Sequence, residues 1–264
     1  MSPAGMQGRG ARTSLVVGNW KSHLVVPEAL AMMSAIKRGL ADVRGVEVAV
    51  APPFTALAAV ARWIDGTAIG LGAQNCHHVD YGPYTGEVSA PMLKDAGCRY
   101  VILGHSERRE WFKETDEIVA AKVRAALRAA LRPILCVGET LDDRTANRTE
   151  ARLRQQVEAA FVGLQPNDMR AVVIAYEPVW AIGSGRNATP QIAQGAHAFI
   201  RSVLRRSFAD AAVQVRILYS GSVQADNVAA LTASEDVDGA LVGGASLQAA
   251  AFVEIVRRTK GASV

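Results

Sequence analysis

The stretch Leu15-Val16-Val17-Gly18-Asn19-Trp20-Lys21 decides the fold. It opens as an apolar, β-branched run with no polar alternation, so both faces of the strand it forms are buried. Such burial marks a parallel strand covered by helices. A doubly wound nucleotide-binding sheet would carry Gly-x-Gly-x-x-Gly at the turn that follows. Gly18-Asn19-Trp20-Lys21 stands there instead.

Runs of the same kind recur at Val46–Ala51, Ala68–Ala73, Tyr100–Leu103, Pro133–Val137, Ala171–Tyr176, Val215–Tyr219 and Gly239–Val242. Between them lie helical patterns. Pro27–Val43 has Pro in its first turn and apolar residues Leu30, Met33, Ile36 and Leu40 at helical spacing. Thr115–Leu131 opens on Thr-Asp-Glu, Asn147–Val162 carries Leu153, Val157 and Phe161, and Thr189–Arg205 opens on a cap followed by Pro. Repeated strand–helix alternation builds right-handed βαβ units. Eight units with no dinucleotide fingerprint predict a single-domain α/β fold, the (β/α)8 barrel.

At about 150 residues per domain, 264 residues would suggest two domains, but such barrels commonly reach about 250 residues as one. No linker interrupts the alternation, so residues 14–264 are read as one barrel domain and residues 1–13 as a flexible extension rich in Gly and Arg. That extension lacks the apolar core of a secretory signal. Hydrophobic residues make up 50% of the chain, enough for a core and too many for a disordered protein. No run approaches the roughly 18 apolar residues of a membrane span. The net charge of +4 suits steering of a small anion. Lys and Arg are spread along the chain and aromatics are only 6%, which argues against nucleic acid as a partner. Cys76, Cys98 and Cys136 have no metal-ligand spacing and read as reduced, buried thiols of a cytoplasmic protein.

Ligands of a parallel α/β fold bind at the carboxyl ends of the strands. Asn19 and Lys21 follow the first run, His105, Ser106 and Glu107 the fourth, Glu177 the sixth, Ser220, Gly221 and Ser222 the seventh, and Gly243 and Gly244 the eighth. Asn19 and Lys21, two apart on a strand end, would point to the same side. A helix starting at Ser106 would place its positive end at His105 and disfavour the imidazolium form. Two glycines ahead of a short helix present bare N–H groups to phosphate. A carboxylate base at Glu177, an imidazole and an ammonium over a phosphate grip fit proton abstraction beside a carbonyl. Each residue alone also has an ordinary structural reading, as a solvated lysine, a capping histidine, a salt-bridged carboxylate or a turn.

Read together, the motifs resemble the triosephosphate isomerase family from Ser14 to Thr259. They are Gly18-Asn19-Trp20-Lys21, Ala73-Gln74-Asn75, Tyr84-Thr85-Gly86-Glu87, Gly104-His105-Ser106-Glu107-Arg108-Arg109, Cys136-Val137-Gly138-Glu139, Ala175-Tyr176-Glu177-Pro178-Val179-Trp180-Ala181-Ile182-Gly183, Gly221-Ser222-Val223 and Val242-Gly243-Gly244-Ala245-Ser246-Leu247. The resemblance implies interconversion of dihydroxyacetone phosphate and D-glyceraldehyde 3-phosphate. It implies Glu177 as base, His105 as neutral electrophile, Lys21 as the cation near substrate oxygens, and Glu107 as the second carboxylate beside it. Asn19, Gly183, Ser222, Gly243 and Gly244 would bind substrate and its phosphate, and Pro178–Ala188 would form a lid. No metal or organic cofactor is implied. A homodimer is, with the loop Cys76–Glu87 reaching into the partner.

Four departures from the family pattern stand out, one of them Arg186 in place of the usual Lys, which keeps the charge. Ser22-His23-Leu24 replaces Met-Asn-Gly, and Pro83 replaces a small residue. Ser220 replaces the first Gly of Tyr-Gly-Gly-Ser and is expected to meet the closing lid or the phosphate, or to require a negative φ. Ser220 and the run Ser22-His23-Leu24 leave open an isomerase of another short phosphosugar, such as a tetrulose phosphate. A phosphosugar sensor without catalysis is disfavoured because Lys21, His105 and Glu177 are all retained.

Overall fold

The computed structural model describes residues 12–182 and 188–263. Eight parallel strands close into a barrel in simple sequence order. They are β1 (Ser14–Asn19), β2 (Val46–Ala51), β3 (Ile69–Ala73), β4 (Tyr100–Leu103), β5 (Arg132–Val137), β6 (Val173–Tyr176), β7 (Arg216–Tyr219) and β8 (Gly239–Val242). Closure is made by β1 against β8, with Val16 opposite Ala240 and Gly18 opposite Val242. The helices are α1 (Val26–Gly39), α2 (Leu57–Ile64), α3 (Ala90–Asp95), α4 (Ser106–Trp111), α5 (Asp116–Arg128), α6 (Leu141–Thr145), α7 (Thr149–Ala160), α8 (Pro190–Phe208), α9 (Ala211–Gln214), α10 (Val228–Thr232) and α11 (Ala249–Arg258).

Strand alternation sorts the core into two layers. Leu15, Val17, Ala49, Tyr100, Ile102, Ile134, Cys136, Val173, Ala175, Leu218 and Leu241 point inward and fill the barrel. Their neighbours Val16, Val48, Val101, Leu103, Leu135, Ile174 and Ile217 point outward and meet helix residues such as Met33, Ile36, Val119 and Ile200. This double burial is why the strands carry no polar alternation. The capping signals hold: Thr115 accepts from Ile118 N at 3.4 Å, and Thr189 accepts from Ile192 N at 3.3 Å with Pro190 opening α8.

The strands start later than composition suggests at β6 and β7, where pairing begins only at Val173 and Arg216. Ala171 and Val172 are apolar but follow a 3-10 turn with no strand to pair against. Arg12, read from sequence as part of the extension, donates from Nε to Asp238 at 2.6 Å and so is tied to the barrel's lower rim. Asp238 also accepts from Arg201, itself 2% exposed, and Arg201 bonds Asp236 at 2.5 Å and the carbonyls of Ala212 and Val215.

Candidate active site

The carboxyl ends of the strands bring the polar residues together because parallel strands of similar length end at one mouth. His105 caps α4 directly after β4, and its Nδ1 accepts from Glu107 N at 3.3 Å. That acceptor role leaves the ring proton on Nε2. Nε2 lies 3.0 Å from Glu177 Oε1. Glu177 follows β6 and is 2% exposed. Its other oxygen, Oε2, accepts from Ser106 N at 2.8 Å. Imidazole and carboxylate therefore face one another across the mouth.

Beneath Glu177 lies Cys136, fully buried on β5. Burial pushes its thiol well up, and the Glu177 charge pushes it further, so it stays protonated. Gly138 explains how close the backbones run. A Cβ there would sit 1.7 Å from the carbonyl oxygen of Glu177, so only glycine fits. Gly138 N is held by Gln156 Oε1 at 2.8 Å.

Lys21 reaches the mouth from the other side, with Nζ 2.5 Å from Glu107 Oε1. The expectation that Asn19 and Lys21 share a strand face fails, because β1 ends at Asn19 and Lys21 turns to φ 50°. The two are linked instead by Lys21 N donating to Asn19 Oδ1 at 3.0 Å. A positive φ on a lysine costs on the order of 1 kcal/mol or more. Gln74 holds that turn by donating to the Lys21 and Ala51 carbonyls at 2.7 and 2.8 Å. Leu24 adopts φ 72° where the family pattern has Gly, and its side chain packs on the outer core.

The phosphate-side residues are placed less completely. Gly243 comes next to Lys21, whose Cε would lie 3.4 Å from a Cβ at that glycine. Gly244 opens a 3-10 turn, pinned by Ser246 N and Oγ on the Gly243 carbonyl. Ser222 is half-buried, and its carbonyl accepts from Asn227 Nδ2 at 3.0 Å. Gly183, expected to contact phosphate, lies outside the described residues, as does 183–187 of the expected lid.

Ser220 carries no positive φ, in line with the expectation that this position requires a negative one. It donates to Glu177 Oε1 at 3.3 Å. Sequence reasoning also gave no role to Glu139. This carboxylate is fully buried, and its Oε1 accepts from Tyr176 Oη at 3.1 Å and from Trp180 Nε1 at 2.8 Å, with Arg144 Nη1 at 3.4 Å. Val179 N donates to the Glu139 carbonyl at 3.2 Å. Glu139 thus ties down Pro178-Val179-Trp180, where the chain leaves the base. An acid two residues past the end of an apolar strand was the available signal.

A third support lies under α4. Buried Lys122 bonds Asn75 Oδ1 at 2.7 Å and Glu114, which also accepts from Arg108 at 2.6 Å. Burial alone would raise the Glu114 pKa, but hydrogen bonds from Lys122 and Arg108 override it and hold it low. The mouth itself holds a cavity of about 200 Å³ lined by Asn19, Lys21, Gln74, Asn75, His105 and Glu107. Two cavities of about 620 Å³ lie elsewhere, one behind α4 and one at the barrel's lower end. Neither contains the facing pair.

A parallel barrel with a buried carboxylate, an imidazole protonated on Nε2 and a lysine at its carboxyl mouth is an isomerase scaffold, equipped to move a proton beside a carbonyl. The model of the family "Triosephosphate isomerase" matches residues 14–259, and the chain belongs to that family. It is 54% identical over 245 residues to the triosephosphate isomerase of Symbiobacterium thermophilum, covering 92% of this chain and 96% of that protein. It is 51% identical over 246 residues to that of Pelobacter propionicus, covering 93% and 98%. The crystal structure of triosephosphate isomerase from Bartonella henselae superposes with a TM-score of 0.85 at 41% identity, covering 93% of this chain and 98% of that one.

Proposed function

We propose that the chain interconverts dihydroxyacetone phosphate and D-glyceraldehyde 3-phosphate, with Glu177 as the base. The observation that carries this assignment is the pair itself: His105 Nε2 stands 3.0 Å from Glu177 Oε1, and Lys21 lies on the same rim. In this arrangement each member of the pair occupies the other, so it is the resting form. Substrate enters between them. Its carbonyl oxygen takes the His105 N–H, and the carboxylate turns to the adjacent C–H. Glu177 removes the proton from one carbon and returns it to the next, and the charge that develops on oxygen in the enediolate is stabilised by His105 and Lys21. A neutral imidazole suffices as donor because its Nδ1 already accepts from the backbone of Glu107. Gly183, Ser222, Gly243 and Gly244 hold the phosphate, and Asn19 sets the turn that aims Lys21. Closure over residues 178–188 excludes water from an intermediate that otherwise loses phosphate.

The working form is a cytoplasmic homodimer. The loop Cys76–Glu87 is braced within itself, with His77 against Tyr84 at 4.4 Å between ring centres and Tyr84 N on the Gly82 carbonyl at 2.9 Å. Tyr81 and Tyr84 stay exposed on it, and Phe54 and Phe112 line the cavity beside Lys21. A preformed aromatic loop and an apolar-walled cavity at the site support docking between two copies. Cys76 and Cys98, pushed by burial up to about 12, remain reduced thiols suited to the cytoplasm.

The test is a coupled assay with D-glyceraldehyde 3-phosphate, run beside Glu177→Asp. That change keeps the charge and withdraws it by a methylene, and such misplacement costs on the order of 10²-fold. Fast turnover in the wild type with that loss in the variant is expected. Equal rates in both would remove Glu177 as the base, and a folded wild type without turnover would refute the activity. Sedimentation equilibrium reads the dimer in the same preparation.

A further inference from the structure

Among the described residues, Ser106 N, His105 Nε2 and Ser220 Oγ reach the Glu177 carboxylate, and the Cys136 thiol packs beneath it. Ser106 N is backbone and is common to any residue at that position. His105 Nε2 must turn to substrate for the chemistry. Ser220 Oγ, 3.3 Å from Oε1, is a hydroxyl donor with no other hydrogen bond among the described residues. Ser220 is 6% exposed at the end of β7, and its own N–H is fixed on the Tyr176 carbonyl at 2.8 Å. Its Cα therefore cannot drift from the strand that carries the base. The space around it is also tight, since a Cβ on the next residue, Gly221, would lie 2.3 Å from Tyr219 Oη. A glycine at position 220, as in the family pattern, supplies no such donor.

We propose that Ser220 is a positioning residue that holds Glu177 in its resting orientation, so that substrate must break a hydrogen bond to bring the base into play. The proposal rests on the reading of Glu177 as the base. A serine at this position raises the population of the resting form and lowers apparent affinity by the fraction of molecules left competent. The effect falls on binding and KM more than on kcat, because saturating substrate has already displaced the contact.

The experiment compares wild type with Ser220→Gly, Ser220→Ala and Ser220→Thr. The readouts are kcat, KM and calorimetric affinity for a two-carbon phosphorylated carboxylate that mimics the enediolate. Glycine and alanine only remove atoms from this buried position, so neither introduces a clash, and the alanine variant isolates the hydroxyl from backbone freedom. Gly and Ala should bind the mimic roughly three- to tenfold more tightly, the range of an ordinary intramolecular hydrogen bond and below that of a short charge-assisted one, because the contact is 3.3 Å long. KM should fall by a similar factor with a smaller change in kcat, and Thr, which keeps the hydroxyl, should restore wild-type values. Unchanged affinity in Gly and Ala overturns the proposal. So does a fall in kcat at constant KM, which would mean that the hydroxyl follows the carboxylate and orients it during proton transfer. A wrong assignment of the base shows separately, as Glu177→Asp turning over like wild type.

Discussion

Replacing Gly138 by alanine tests the geometry of the base without touching any reacting group. The new methyl carbon would lie 1.7 Å from the Glu177 carbonyl oxygen and 2.7 Å from its carbonyl carbon. A normal carbon–oxygen contact requires about 3.3 Å. One backbone must then retreat by roughly 1.5 Å. Gly138 is held by Gln156, and Glu177 N is bonded to the Val137 carbonyl at 2.8 Å, so the strain is shared between β5 and β6. Even if Glu177 takes half of it, its carboxylate moves by several tenths of an ångström to about 1 Å from Ser106 N and His105 Nε2. Misplacement of about 1 Å costs on the order of 10²-fold in rate. The coupled assay should show kcat reduced by about 10²-fold. KM should move less, because Ser222, Gly243 and Gly244 follow β7 and β8. Overpacking should cost about 1–3 kcal/mol of stability, read as a lower thermal midpoint, and circular dichroism reports whether the barrel is retained. A folded Gly138→Ala with kcat within threefold of wild type would refute the claim that this glycine sets the position of the base.

Two further outcomes follow from buried charges at the other end of the barrel and behind it. Arg201→Ala leaves Asp236 and Asp238 without their buried partner and strips two carbonyls of a donor, with Arg12 and the Ile217 N–H remaining on Asp238. The loss should be about 3–5 kcal/mol, a fall in midpoint on the order of 10 °C, and a shift under 3 °C would sink the idea. His197 on α8 is fully buried against Tyr176 and Tyr219, and burial lowers its pKa to about 4. The folded pKa lies below the unfolded value of 6.5, so on acidification the unfolded chain takes the proton first. Stability should therefore decline as pH falls from about 6.5 towards 4, by about 3 kcal/mol in all. Denaturant midpoints across that range should flatten in His197→Phe, and an unchanged slope there would assign the effect to other groups.

The eight strands were legible because each is buried on both faces, and burial writes itself into composition. Their ends were less so. Ala171 and Val172 are as apolar as Val173, yet a strand is defined by its pairing, and pairing starts only where Ile134 and Arg216 lie alongside. The long helices α1, α5, α7 and α8 showed in their periodicity, whereas α6, α9 and α10 are too short for a period to emerge. At the site, His105, Glu107, Lys21 and Glu177 could be named from their places after apolar runs. Gln74 and Glu139 could not be given roles, since one acts through backbone carbonyls far away in sequence and the other by burial.

The sequence by itself determined the closed parallel barrel, the end at which its polar residues gather, and the residue types available there. These depend on patterning and local chemistry, which a linear chain carries. Only the tertiary structure decided that Glu177 faces His105 at 3.0 Å, that Lys21 turns to φ 50° and is aimed by Asn19 and Gln74, and that the Ser220 hydroxyl bonds the base. Those facts depend on the register of strands brought together from distant parts of the chain. A hydroxyl's partner there is set by distances of a few tenths of an ångström, which no pattern of residue types encodes.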